Sequence, residues 1–182
     1  MNNKSNIAKY FWQVTYAHTI AWFIAGVFAV FVMNYEYHYQ GAVLSIFMRP
    51  TNDPIVYLGM FLQIFRGLLV ALFILPLRKE FFEEKYGLIK LGVITVGLFY
   101  VCTFGPGLGS FDGFIFTSLP VFYHLLGIPE MLLYTVTFIG ILHISRKYGH
   151  KKIVNITAVI VILLISINSI FMFMSTTGML PI

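Results

Sequence analysis

The sequence predicts an all-α membrane protein with five transmembrane helices, N-terminus inside and C-terminus outside, plus one re-entrant or interfacial segment. Three observations predict it. Of 182 residues, 59% are hydrophobic and 10% charged, against about 45–50% and about 25% in a soluble domain. The apolar residues gather into runs of about 20, the length a helix needs to cross roughly 30 Å of hydrocarbon. Threaded through a bilayer, those runs leave almost all basic residues on one side.

The first run, about 10–33, follows Lys4 and Lys9. It is longer than the roughly 7–15 residues of a signal-peptide core, and no small-residue cleavage site closes it, so it is expected to persist as the first helix. The second, about 54–77, opens on Asp53-Pro54. There Asp53 is expected to cap the helix, and Pro54 sits where a missing N–H costs nothing. The third is about 88–105. The segment 111–127, "FDGFIFTSLPVFYHLLG", is apolar but short and is interrupted by Pro120. The fourth run, about 129–145, begins with Pro129 and Glu130, a first-turn acid that the helix dipole favours. The fifth is about 153–174. Residues 1–182 thus form one polytopic domain.

The charges select this count. With a cytoplasmic N-terminus the inside receives Lys4, Lys9, Arg78, Lys79, Lys85, Lys90, Arg146, Lys147, Lys151 and Lys152, which is 10 of the 12 basic residues. Only Arg49 faces outside, and Arg66 lies within the second span. Making 111–127 a full span moves "RKYGHKK" outside and spoils the pattern. The net charge of +5 therefore sits in juxtamembrane clusters, and no nucleic-acid partner is expected. Cys102 is the single cysteine, which excludes an intrachain disulfide and a cysteine metal cluster. The expected location is a bacterial-type plasma (inner) membrane.

Arg66, inside "LGMFLQIFRGLLVALFIL", is always charged and carries five donors. It shares a helical face with Gln63, and on the first helix His18 and Trp22 share another. Counted from the inner helix ends, Arg66 and His18 lie at similar depth. His18, Gln63 and Arg66 are therefore expected to form one buried polar cluster, and no acidic residue of the five spans lies at that depth. Three readings compete. Gln63, tyrosines and backbone carbonyls satisfy Arg66, or Arg66 binds a carboxylate or phosphate through its planar fork, or the re-entrant segment delivers a counter-ion, with Asp112 the candidate. The expected ligand-binding set is Arg66, Gln63, His18 and Trp22.

A second polar group lies outside, with Glu36, His38, Asp112 and His124 as the catalytic candidates, acids and bases at the membrane surface. Each signal is weak. No H-E-x-x-H occurs, and in "GLGSF" the serine follows the second glycine, unlike a nucleophile elbow. No metal site and no cofactor are expected; haem ligation by His18 and His143 fails on mismatched depth. The function expected first is binding, and transport or presentation, of a small anionic or amphiphilic ligand centred on Arg66. The alternatives are a hydrolase or transferase acting on a lipid-linked substrate at the outer leaflet, and an assembly subunit of a larger membrane complex. Besides the lipid bilayer, a homo-oligomer or a membrane partner subunit is a possible associate.

Overall fold

Along the first helix Tyr10, Val14, Ala17, Ala21 and Ala25 recur every three or four residues, the spacing of one helical face. In the computed structural model, which describes residues 3–103 and 105–180, all five are buried. The helix that carries them, α1 (Asn3–Phe31), packs against α3 (Pro54–Ile74), α8 (Ile128–Tyr148) and α9 (Lys152–Thr176). Between these lie α2 (Tyr35–Gln40), α4 (Arg78–Phe82), α5 (Gly87–Val96), α6 (Phe111–Phe116) and α7 (Val121–Leu126). The described residues are 77% helix with no strand.

Four stretches are long and apolar enough to cross a membrane: Ile7–Phe31, Pro54–Phe82, Val121–Tyr148 and Lys152–Thr176. Asp53 caps α3 as its sequence position predicts, its Oδ1 accepting the Ile55 N–H at 2.8 Å. The run expected over 88–105 is shorter. Ten residues of α5 and five of a π-helical turn, Gly97–Val101, rise about 22 Å together. The helix stops at Cys102, where the backbone turns out at φ −106°, ψ 33°.

Segment 111–127 divides. Ser110 caps α6 by accepting the Gly113 N–H at 3.0 Å, and a non-helical stretch, 117–120, follows. Beyond Pro120, α7 runs on through Gly127 into α8, because Gly127 keeps right-handed helical geometry at φ −79°, ψ −10°. Half of the expected re-entrant segment thus belongs to the third of these long stretches, Val121–Tyr148.

Cross-links set the helix directions. Tyr10 donates its hydroxyl proton to the Ala71 carbonyl at 2.8 Å, while His18 meets Gln63, so α1 and α3 are antiparallel. Gln13 donates to the Ser145 carbonyl at 3.1 Å, and His18 also meets Tyr134, so α8 runs antiparallel to α1 as well. Gly92 faces Ile139 and Tyr100 lies over Gly127, which makes α5 antiparallel to α8. Trp12 donates to Asn155 Oδ1 at 3.2 Å, and Phe61 donates its backbone N–H to Ser169 Oγ at 3.1 Å, so α9 runs with α1. One direction is shared by α1, α5 and α9, the other by α3 and α8.

Helices surrounded by hydrocarbon gain little from burying apolar area, and close backbone approach and interhelical hydrogen bonds hold them instead. Gly67 of α3 meets that need. A Cβ there would lie 3.0 Å from both the Cα and the carbonyl oxygen of Thr15.

Candidate functional site

Because α3 and α8 pack on α1, and α5 packs on α8, these four helices enclose a space. It is a cavity of about 550 Å³, within the roughly 300–1,000 Å³ of small-molecule sites. At its middle is His18, 1% exposed. Its Nε2 lies 3.2 Å from Gln63 Oε1, and its Nδ1 2.7 Å from the Tyr134 hydroxyl. An amide oxygen only accepts, so this network assigns the ring proton to Nε2 and makes Nδ1 the acceptor of the Tyr134 proton. Gln63 donates its own amide to the Gly59 carbonyl at 3.4 Å. His18 is then a neutral ring with both nitrogens engaged.

Arg66 lies one turn beyond Gln63 on α3 and lines the same cavity. It is exposed rather than buried. The ion pairs among the described residues are Arg49–Asp53 and Lys90–Glu84, and no described residue hydrogen-bonds to Arg66. The expected cluster therefore forms in part: His18 and Gln63 touch, and Arg66 shares their cavity without bonding to either. Trp22, one turn from His18 on α1, is half-buried in the cavity wall.

Sequence reasoning missed Glu130. It does stand in the first turn of α8, but it lines the cavity together with Tyr35 and Tyr39 of α2 and with Tyr100. Burial first, and then the nearby Glu130 charge, push the Tyr35 and Tyr39 phenols well above their ordinary range. A signal was present in the spacing Glu130, Tyr134, Phe138, which puts an acid on the same face as two rings that stack at 5.7 Å.

The catalytic candidates do not converge. Glu36 is exposed, with Gln40 donating to it at 3.5 Å. His38 packs against the rings of Phe122 and Tyr123. Asp112 is half-buried in the first turn of α6. His124 is 1% exposed, and three contacts hold it. The Gly109 N–H donates to Nδ1 at 3.3 Å, Nε2 lies 3.3 Å from Thr117 Oγ1, and Phe114 stacks on the ring at 4.3 Å. Thr117 donates its own proton to the Gly113 carbonyl at 2.7 Å, so His124 Nε2 donates to Thr117 and pins residues 109–117 to α7. Gly109 has φ +77°, and a Cβ there would run into the Tyr100 hydroxyl, so glycine is needed on both counts. Among the described residues, no three His, Cys, Asp or Glu side chains group closely enough to hold a metal ion.

Comparison with known families, curated proteins and solved structures finds no match. The site alone carries the functional argument.

Proposed function

We propose that this protein spans a bacterial-type plasma membrane five times, N-terminus inside, and binds a small anionic or amphiphilic molecule with Arg66 as the anion anchor. Transport or presentation of that molecule is the expected use. The observation that carries the reading is Arg66 itself. It is a guanidinium in a long apolar helix, opening into a cavity of ligand size, with no hydrogen bond to a described residue. An ionised side chain at membrane depth is costly and marks a ligand or ion path. A planar fork suits a carboxylate or phosphate held by two bonds. The walls favour an amphiphile, because Val70, Phe73, Ile74, Leu91 and Phe138 give the part of the cavity away from α2 an apolar lining.

Five spans are supported by the alternating directions of α1, α3, α5, α8 and α9, together with the placement of 10 of 12 basic residues at one end of that alternation. The catalytic alternative has less in its favour, since the surface acids and bases lie apart and His124 is committed to holding its loop.

The test uses the protein purified in a neutral detergent, with Trp12→Phe leaving Trp22 as the only tryptophan. Titration with an alkyl phosphate is expected to shift Trp22 emission saturably. Arg66→Gln is expected to abolish the shift, and Arg66→Lys to weaken it by about tenfold or more, lysine lacking the fork. Unchanged binding by Arg66→Gln overturns the proposal.

A further inference from the structure

We infer that the end of the cavity nearest α2 is a cation subsite, formed by Glu130 with the rings of Tyr35, Tyr39 and Tyr100. The ligand class is then an amphiphile with a zwitterionic headgroup, its anionic group next to the chain and its ammonium at the tip. This rests on the reading of Arg66 as the anion anchor and adds to it.

Three features of the site support the subsite. The Tyr35 and Tyr39 rings stand one turn apart on α2 with centroids 5.1 Å from each other. Tyr100 covers Gly127, just before Glu130, so its ring and the carboxylate line one end of the same space. Half-buried Glu130 has no ion-pair partner among the described residues. The Tyr35 hydroxyl bonds to the Glu130 carboxylate, and a carboxylate set beside tyrosine rings attracts an alkylammonium through its charge and the ring π-systems.

Arg66 does not neutralise Glu130. Gln63 and Tyr134 both meet His18, and α3 and α8 run in parallel, so His18 marks one level on both helices. Glu130 lies four residues to one side of that level and Arg66 three residues to the other. At about 1.5 Å per residue their backbones are roughly 10 Å apart along the axes. Arginine side chains in helices lean toward the helix N-terminus, which brings the guanidinium toward Glu130 and leaves a gap that a phosphate joined to an ammonium can bridge. Along the cavity the order is apolar wall, Arg66 with His18, then Glu130 with the tyrosines. A chain, an anion and an ammonium in that sequence match it group by group.

Three probes of equal chain length separate the charges: an alkyl phosphate, an alkylphosphocholine and an alkyltrimethylammonium, each followed by Trp22 emission in the Trp12→Phe protein. Wild-type protein is expected to bind the phosphocholine about tenfold more tightly than the phosphate. Glu130→Gln is expected to erase that advantage and weaken the alkyltrimethylammonium, while leaving alkyl phosphate binding as it was or slightly tighter. Glu130→Asp, which keeps the charge, should retain part of the preference, and the melting temperatures of both variants serve as the folding control. The inference is overturned if wild type shows no phosphocholine preference, if Glu130→Gln keeps it, or if Glu130→Asp loses it as fully as Glu130→Gln with folding intact. Arg66→Gln reports separately on the anion anchor. Loss of alkyl phosphate binding there with an unaltered Glu130→Gln profile removes the cation subsite alone, and retained phosphate binding removes the anchor.

Discussion

Gly67 and Gly59 lie on the same helix eight residues apart, yet their surroundings differ sharply. A Cβ at Gly67 meets the backbone of Thr15 at 3.0 Å, and one at Gly59 meets nothing within 4 Å. Backbone cannot swing aside as a side-chain tip can, so Gly67→Ala is expected to separate α1 from α3 and destabilise the protein by about 1–3 kcal/mol, the overpacking range. Gly59→Ala is expected to be neutral or to stabilise by up to about 1 kcal/mol, through the lower chain entropy of the unfolded state. Unfolding midpoints in a denaturing detergent decide it, and equal shifts for the two variants contradict the close crossing. At this scale much of the site was legible. Helical phase and depth alone placed His18 beside Gln63 and put Arg66 on their side of α3. Glu130 was not legible because its local context already explained it: an acid after Pro129 in a first turn needs no further role. Only the return of α2 onto α8, a tertiary event between residues about 90 apart in sequence, gives that carboxylate an inward neighbourhood.

Helix α3 shows how one element is tied to another. The Ser169 hydroxyl accepts the Phe61 N–H at 3.1 Å and donates to the Tyr57 carbonyl at 2.5 Å. Those two backbone groups are four residues apart, the pair an undisturbed helix joins directly, and a side chain inserted there bends the ladder. Ser169→Ala lets α3 close its own bond, so the expected cost is near 0.6 kcal/mol, as for other interhelical bonds in membranes, and below the about 1–3 kcal/mol of a stranded buried donor. A loss in that higher range refutes the inserted-hydroxyl account. The other end of α3 carries a pH dependence. The Asp53 carboxyl is held below its ordinary 3.8, first by the Ile55 N–H and then by Arg49. A depressed native value means the stabilisation is complete above 3.8 and fades as pH falls through the native value, where the folded carboxylate takes its proton. Asparagine caps as well as aspartate, so Asp53→Asn is expected to leave the neutral-pH midpoint nearly unchanged and to flatten the acid side of the midpoint-versus-pH curve. The start of α3 was legible because Asp-Pro is a local signal. The end of α5 was not, since nothing in "GLFYVCTF" marks where a π-helical turn ends the helix at Cys102.

For the molecule as a whole, the number of spans turns on Gly87–Val101. Run counting and charge placement predict a fifth span, while length alone admits four. A rise of about 22 Å falls short of the roughly 30 Å of hydrocarbon, a mismatch a bilayer meets by local thinning and by snorkelling of flanking residues. Lys90, exposed in the first turn of α5 and paired with Glu84, is placed for that. The direction of α5 against α8 requires its two ends to lie at opposite ends of the bundle, so the five-span reading makes a sharp forecast for the single cysteine. Cys102 is free and exposed, and it is expected to react with a membrane-impermeant maleimide on intact cells. In a Cys102→Ser background, Glu84→Cys is expected to react only after the membrane is permeabilised. If both sites label equally on intact cells, or both only after permeabilisation, Gly87–Val101 does not cross. The basic clusters at 78–90 and 146–152 then no longer share a side, and the charge argument that selected five spans falls with it.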